Sequence, residues 1–257
     1  MDHKMDQKHI EEKIFLSFLR GKRRIAELRI ILLTERRIYV IFPTMNNLLN
    51  IIIQFAVVLF AISIHESSHA WMADKFGDPT ARNQGRITLN PIAHIDPIGT
   101  ILFPLLLAIV GAPVFGWAKP VMVNPYNLRD PRRANIFISA AGPLSNLIVA
   151  AGGITLFVIL RNLGVFAGSA QGSLRILAII FLYLIIINIF LAIFNLIPIP
   201  PLDGSGILEG LLKGEALYNY QKIKPYGFII LILIIYAGVL DFIANPIISF
   251  VLNILRG

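Results

Sequence analysis

Apolar and polar positions divide the chain into blocks of distinct character. Residues 1–44 are crowded with charge, including Arg20, Lys22, Arg23, Arg24, Arg36 and Arg37, and their apolar patches, such as Ile30-Ile31-Leu32-Leu33, are too short to cross a bilayer. With no long apolar core and no small-residue cleavage site, the stretch reads as a basic surface tail rather than a secretory signal. From Leu48 to about Ala73 the pattern becomes an apolar run, with no charged residue between Ile51 and Ile64, and predicts a first transmembrane helix. Gly77-Asp78-Pro79-Thr80 ends it with turn chemistry, and a polar loop follows through Arg86, Asn90-Pro91, His94 and Asp96-Pro97.

Further on, Ile98 to Gly111 is apolar for only about fourteen residues and contains Gly99 and Pro104, which suits a re-entrant or interfacial segment better than a full crossing. Gly116 to Val123 reads as a short extended piece, with Pro120 allowing it an edge position but not a central one. Ala134 to Leu160 predicts a second span, in which Ser139, Ala140, Ala141 and Gly142 would let another helix approach closely and Asn146 would bond to a neighbouring helix. After a Gly- and Ser-rich loop, Leu174 to about Ile197 predicts a third span. It runs into Pro198, Pro200 and Pro201, where the backbone must unwind, which membrane depth tolerates only beside a cavity or inside protein. Glu209, Lys213, Glu215, Lys222 and Lys224 mark a solvated amphipathic connection. Tyr226 to Leu255, interrupted at Asp241 and Asn245-Pro246, is read as a hairpin of two short helices in preference to one broken span.

Composition agrees with this pattern. At 56% hydrophobic and 15% charged residues over 257 positions, with a mean hydropathy of +0.73, the chain is too apolar for a soluble domain and reads as an all-α polytopic membrane protein. The absence of Cys excludes disulfides and thiolate metal sites. A net charge of +8 fits contact with anionic lipid, and nothing in the chain points to nucleic acid.

Only five histidines are available as ligands, and two of them fall in His65-Glu66-Ser67-Ser68-His69 inside the first apolar helix. Residues four apart share a helix face, so His65 and His69 can offer two imidazoles to one zinc ion while Glu66 stands beside it. That is the geometry of zinc hydrolysis, in which the metal acidifies a water and the carboxylate carries its proton to the leaving amine. Ionisable groups at membrane depth are costly unless paired, metal-bound or wetted, which favours a functional reading over ordinary polar contacts. About seventeen residues precede His65 in the helix, roughly 26 Å of an approximately 30 Å core, which puts the site near one membrane face. Asp203 is the natural third ligand, since a catalytic zinc commonly keeps three protein ligands and one open position; alone, an Asp-Gly after prolines is simply a turn. Asn195 either donates to a substrate carbonyl or developing oxyanion or satisfies local backbone at a helix end. His94 and Asp96 are either further ligands or, more ordinarily, turn-capping residues.

Together, His65-Glu66-Ser67-Ser68-His69 in a transmembrane helix, Ala141-Gly142-Pro143 in a later one and Asn195 through Pro198 to Asp203-Gly204 resemble the site-2 protease family of intramembrane zinc metalloproteases, over about Leu48 to Gly206. The resemblance implies a core of three transmembrane helices around one zinc ion per chain, held by His65, His69 and Asp203. It also implies Glu66 as the acid/base, and a substrate that is a transmembrane or membrane-embedded protein segment. An extended piece near the site can pair with an unwound substrate in related enzymes, a role open to Gly116 to Val123. No appended regulatory domain is recognised, and residues 1–44 are not an obvious part of the family pattern, leaving 45–257 as the protease domain.

A shared zinc also constrains topology. Asp203 reaches the face that holds His65 only if Ile98 to Gly111 turns back without crossing. A cytoplasmic zinc face in the cell membrane puts Lys75, Arg82, Arg86, Arg132, Arg133 and Lys213 inside and Arg161 and Arg175 outside, as the positive-inside rule prefers. The same orientation puts the basic tail outside, which conflicts with its charge; either translation begins at Met45, or the tail returns across the bilayer edge, or the first helix is oriented differently. An inactive scaffold of the same fold would be expected to have lost Glu66 or a ligand, and an ion-binding transporter usually shows internal repeats, of which none is found. A zinc hydrolase acting on lipid is a further enzyme reading.

Overall fold

Among the described residues, three helices are long and apolar enough to cross a membrane: α1 (Leu48–Lys75), α3 (Pro131–Asn162) and α4 (Ser173–Asn195). Between α1 and α3 lies a turn of π-helix, Pro97–Leu102, running into the short α2 (Phe103–Ile109). After α4 come α5 (Asp203–Leu211), α6 (Gly214–Gln221), α7 (Gly227–Tyr236) and α8 (Val239–Arg256). This computed structural model describes residues 48–109, 116–166 and 173–256, all within one unit, Met45–Gly257. The basic tail of residues 1–44 lies outside them. Among the described residues no strand occurs, so the protein is an all-α integral membrane protein.

The packing of α1 follows a row of every fourth residue. Ile53, Val57, Ala61, His65, His69 and Ala73 are all buried, whereas Ile52, Phe55, Phe60 and Trp71 are exposed in the lipid-facing direction. Such an i, i+4 row is a ridge that fits a groove between neighbouring helices. Its upper part meets Tyr183 and Ile187 of α4, and Ala73 packs with Leu128, Ala134 and Ile138 at the start of α3. Because the two histidines continue an apolar seam, they point into protein and away from lipid.

Helix α3 is the hub, packing against α1, α4 and α5. Its small residues have the use expected of them. A Cβ on Gly206 would collide with the Ser139 hydroxyl and one on Gly210 with the Ile136 side chain, so the i, i+4 glycines of α5 lie directly on α3. Asn135 Nδ2 donates to Gly206 O at 2.8 Å, and Arg132 caps the end of α5 by donating to Gly210 O and Leu211 O at 2.8 and 3.0 Å. These contacts dock α5, and with it Asp203, against α3.

The segment from Pro97 to Leu107 spans about 16 Å at helical rise, roughly half a bilayer core, in keeping with a re-entrant element. Asp96 starts it by accepting from Ile98 N and Gly99 N. Two short helices form at the C-terminus as expected, but the helical stretch Gly214–Tyr236 that ends in α7 meets Val239–Leu255 of α8 at a bend of 59°, shallower than the reversal of a tight hairpin. Gly238, at φ 71°, makes the break in a left-handed conformation that other residues rarely adopt.

Candidate metal centre

Two helices bring the candidate ligands together and a third orients them. His65 and His69 stand one turn apart on α1, and Asp203 opens α5, immediately after the proline-rich unwound segment. His65 Nε2 lies 3.0 Å and His69 Nε2 3.3 Å from Asp203 Oδ2. The three residues form a group whose ligand atoms all fall within 4.8 Å of one another. Zinc bonded tetrahedrally at the usual lengths would space its ligands about 3.4 Å apart, close to what is seen.

Hydrogen bonding on the far side of each ring decides what faces the centre. His69 Nδ1 lies 2.6 Å from the carbonyl of Ile138, which can only accept, so Nδ1 carries the proton. His65 Nδ1 lies 2.6 Å from Asn146 Oδ1. Both Nε2 atoms are thereby left as lone-pair donors to a metal, aimed at a buried Asp203 Oδ2 that receives no hydrogen bond. Three acceptor atoms converging in a buried place repel one another unless a proton or a metal ion lies among them. Gly142 keeps the place clear: a Cβ there would run into Nε2 of both histidines. The donor set, the orphaned oxygen and the cleared space all fit one zinc ion.

Glu66 is half-buried at the next position of α1, beside the pair. Asn195 stands at the end of α4, where its Nδ2 donates to Leu191 O at 3.0 Å, the local backbone alternative. His94 is buried but outside the cluster, its Nε2 bonded to Thr88 O at 2.9 Å, and Asp96 caps a turn. Asn146 does bond to neighbouring helices, as its place in the span implies, and one of its partners is a metal-site histidine. Sequence reasoning missed Asn188, which is buried and donates to Leu184 O while accepting from Asn146. Its signal was an amide in the middle of a long apolar span, where an unsatisfied polar group is expensive.

Gly116 to Val123 forms neither helix nor strand and pairs sparsely. Trp117 N donates to Gly99 O at 3.1 Å and Lys119 N to His94 O at 2.9 Å. The buried guanidinium of Arg86 donates to Ala93 O and, at 3.2 Å, to Pro120 O, tying the piece to the loop before α2. At its far end a cavity of about 630 Å³ opens between Val123, Leu128, Arg132, Asn135, Ile138 and Gly210, and none of His65, His69 and Asp203 lines it.

The chain is thus an all-helical membrane protein whose His-His-Asp group could hold a metal ion. Residues 53–237 match the model of peptidase family M50, the site-2 protease family, and the chain belongs to that family. Bacterial relatives among its matches carry the name "Putative zinc metalloprotease". YwhC of Bacillus subtilis is 38% identical over 194 residues, 75% of this chain and 84% of the relative. Rip2 of Mycolicibacterium smegmatis is 29% identical over 183 residues, 71% of this chain and 66% of the relative. No solved structure matches the chain.

Proposed function

We propose that this membrane protein is an intramembrane zinc metalloprotease that hydrolyses peptide bonds in transmembrane or membrane-embedded protein segments. One zinc per chain is held by His65 Nε2, His69 Nε2 and Asp203. The observation that carries the proposal is the convergence of those two lone pairs on the unbonded Asp203 oxygen, in a space kept open by Gly142. When bound, zinc supplies Lewis acidity and lowers the pKa of a water to near neutrality. Glu66 takes that proton and later delivers it to the leaving amine, as a carboxylate at the metal's side can. Asn195 turns its amide from Leu191 towards the substrate carbonyl and steadies negative charge on its oxygen. Successive residues of an extended chain face opposite ways, so Ala118, between the tethered Trp117 and Lys119, presents its backbone to an unwound substrate strand. The zinc face is cytoplasmic and the membrane is that of the cell, in line with the distribution of Lys and Arg.

Cleavage of a transmembrane substrate by reconstituted wild type and Glu66→Gln tests the mechanism. A loss of at least about 100-fold with zinc retained is expected. Equal cleavage would rule out Glu66 as the acid/base. Metal content of Asp203→Ala and His65→Ala tests the ligands: both should fall well below the roughly one zinc per chain of wild type.

A further inference from the structure

Asn188 lies on α4, and both it and Asn146 of α3 are fully buried. The orientation of each amide is set by a backbone carbonyl, and carbonyls only accept. Asn188 Nδ2 lies 2.7 Å from Leu184 O, so its oxygen faces the other way, 2.7 Å from Asn146 Nδ2. Asn146 Nδ2 also lies 3.2 Å from Ala61 O of α1. Held from both sides, the amino end of Asn146 cannot swing round, and its Oδ1 faces His65 Nδ1 at 2.6 Å. An acceptor there requires the ring proton on Nδ1.

We propose that Asn188 is a positioning residue for the metal centre, which acts through Asn146 to keep the His65 proton on Nδ1 and so leaves Nε2 for the ion. It rests on the metal reading above. A chain of polarity thus starts at a carbonyl of α4, crosses α3 and ends on α1 at a nitrogen that faces Asp203. Without Asn188, only the longer contact to Ala61 O holds the Asn146 amide. A flipped amide would turn N–H towards His65 and favour the tautomer whose proton occupies the ligand atom. Partners that orient ligating histidines typically change metal affinity by about 10–100-fold when lost.

The test is zinc affinity of the full chain in detergent, measured with zinc alone against a competing chelator, for wild type, Asn188→Leu, Asn146→Leu, the double variant and Asn188→Asp, with His65→Ala as the reference for a broken site. Asn188→Leu matches the side-chain volume and removes the acceptor, and should weaken zinc binding by about 10-fold or more. In the double variant the loss should be no greater than in Asn146→Leu alone, because Asn188 works through Asn146. Asn188→Asp, whose buried carboxyl stays neutral, keeps an acceptor for Asn146 and a donor for Leu184, and should bind close to wild type. Wild-type affinity in Asn188→Leu, or losses that multiply in the double variant, would overturn the proposal while leaving the metal site standing. A wild type that takes up no more zinc than His65→Ala would overturn both. Independent of any variant, the ¹⁵N shifts of His65 in metal-free wild type should show the Nδ1–H tautomer, and the Nε2–H tautomer would overturn it.

Discussion

Gly142 gives the sharpest single-residue prediction. A methyl group there would collide with Nε2 of both histidines. Gly142→Ala should therefore lose zinc yet purify as a folded membrane protein, which metal analysis beside circular dichroism would check. Asn195→Ala should behave oppositely, keeping zinc and losing about 10²–10³-fold in kcat, as measured for single oxyanion donors; unchanged turnover would leave Asn195 as a helix-end residue bonded to Leu191. The pairing of His65 and His69, with Glu66 next to them, was legible because residues four apart share a helix face. Asp203 was legible only in company, since an isolated Asp-Gly is a turn. The partners that orient the rings were not: a backbone carbonyl such as Ile138 O carries no sequence signature, and Asn188 and Asn146 are separated by most of two helices.

At the scale of elements, the hydrophobic pattern found the three spans and the half-length segment, because length and continuity of apolar sequence are what a bilayer selects. It did not find the angle between α7 and α8, which a single glycine sets. Nor could it see how the loop after α1 is fastened. Asp78 is fully buried there and accepts from Thr80 N and Oγ1, Asn124 N and Asn127 Nδ2, which joins the end of α1 to the chain entering α3. Burial alone would raise its pKa, but the hydrogen bonds from Asn127, Thr80 and Asn124 outweigh it and hold the carboxyl below its ordinary 3.8. A carboxyl depressed on folding stabilises the protein above its unfolded-state pKa, and that contribution is lost as pH falls through the lower folded value. Asp78→Asn, which cannot accept all four bonds, should cost about 1–3 kcal/mol at neutral pH. It should also flatten the decline in stability below about pH 4 relative to wild type. Thermal unfolding in detergent across pH would show both, and an unchanged acid limb would mean that Asp78 does not carry it.

For the whole molecule, orientation can be read directly because the chain has no Cys. Single cysteines at Asn83→Cys and Lys213→Cys should be shielded from an impermeant maleimide added to intact cells, and Leu163→Cys should react. Labelling of Asn83→Cys and Lys213→Cys from opposite sides would mean that the segment around α2 crosses the bilayer. An even parity of crossings is expected if one zinc is shared, whereas the docking of α5 on α3 was not legible, since glycines four apart do not name their partner. That docking has a consequence for how the centre assembles. Helix α3 contributes no ligand, yet it holds Asn146 against His65, Ile138 O against His69 and the start of α5 in place. The loss of freedom needed to gather three ligands is therefore met during folding, not when the ion arrives. Unlike a zinc finger, whose chain collapses only around its metal, this protein should survive chelation as a folded apoprotein that regains activity on simple readdition of zinc.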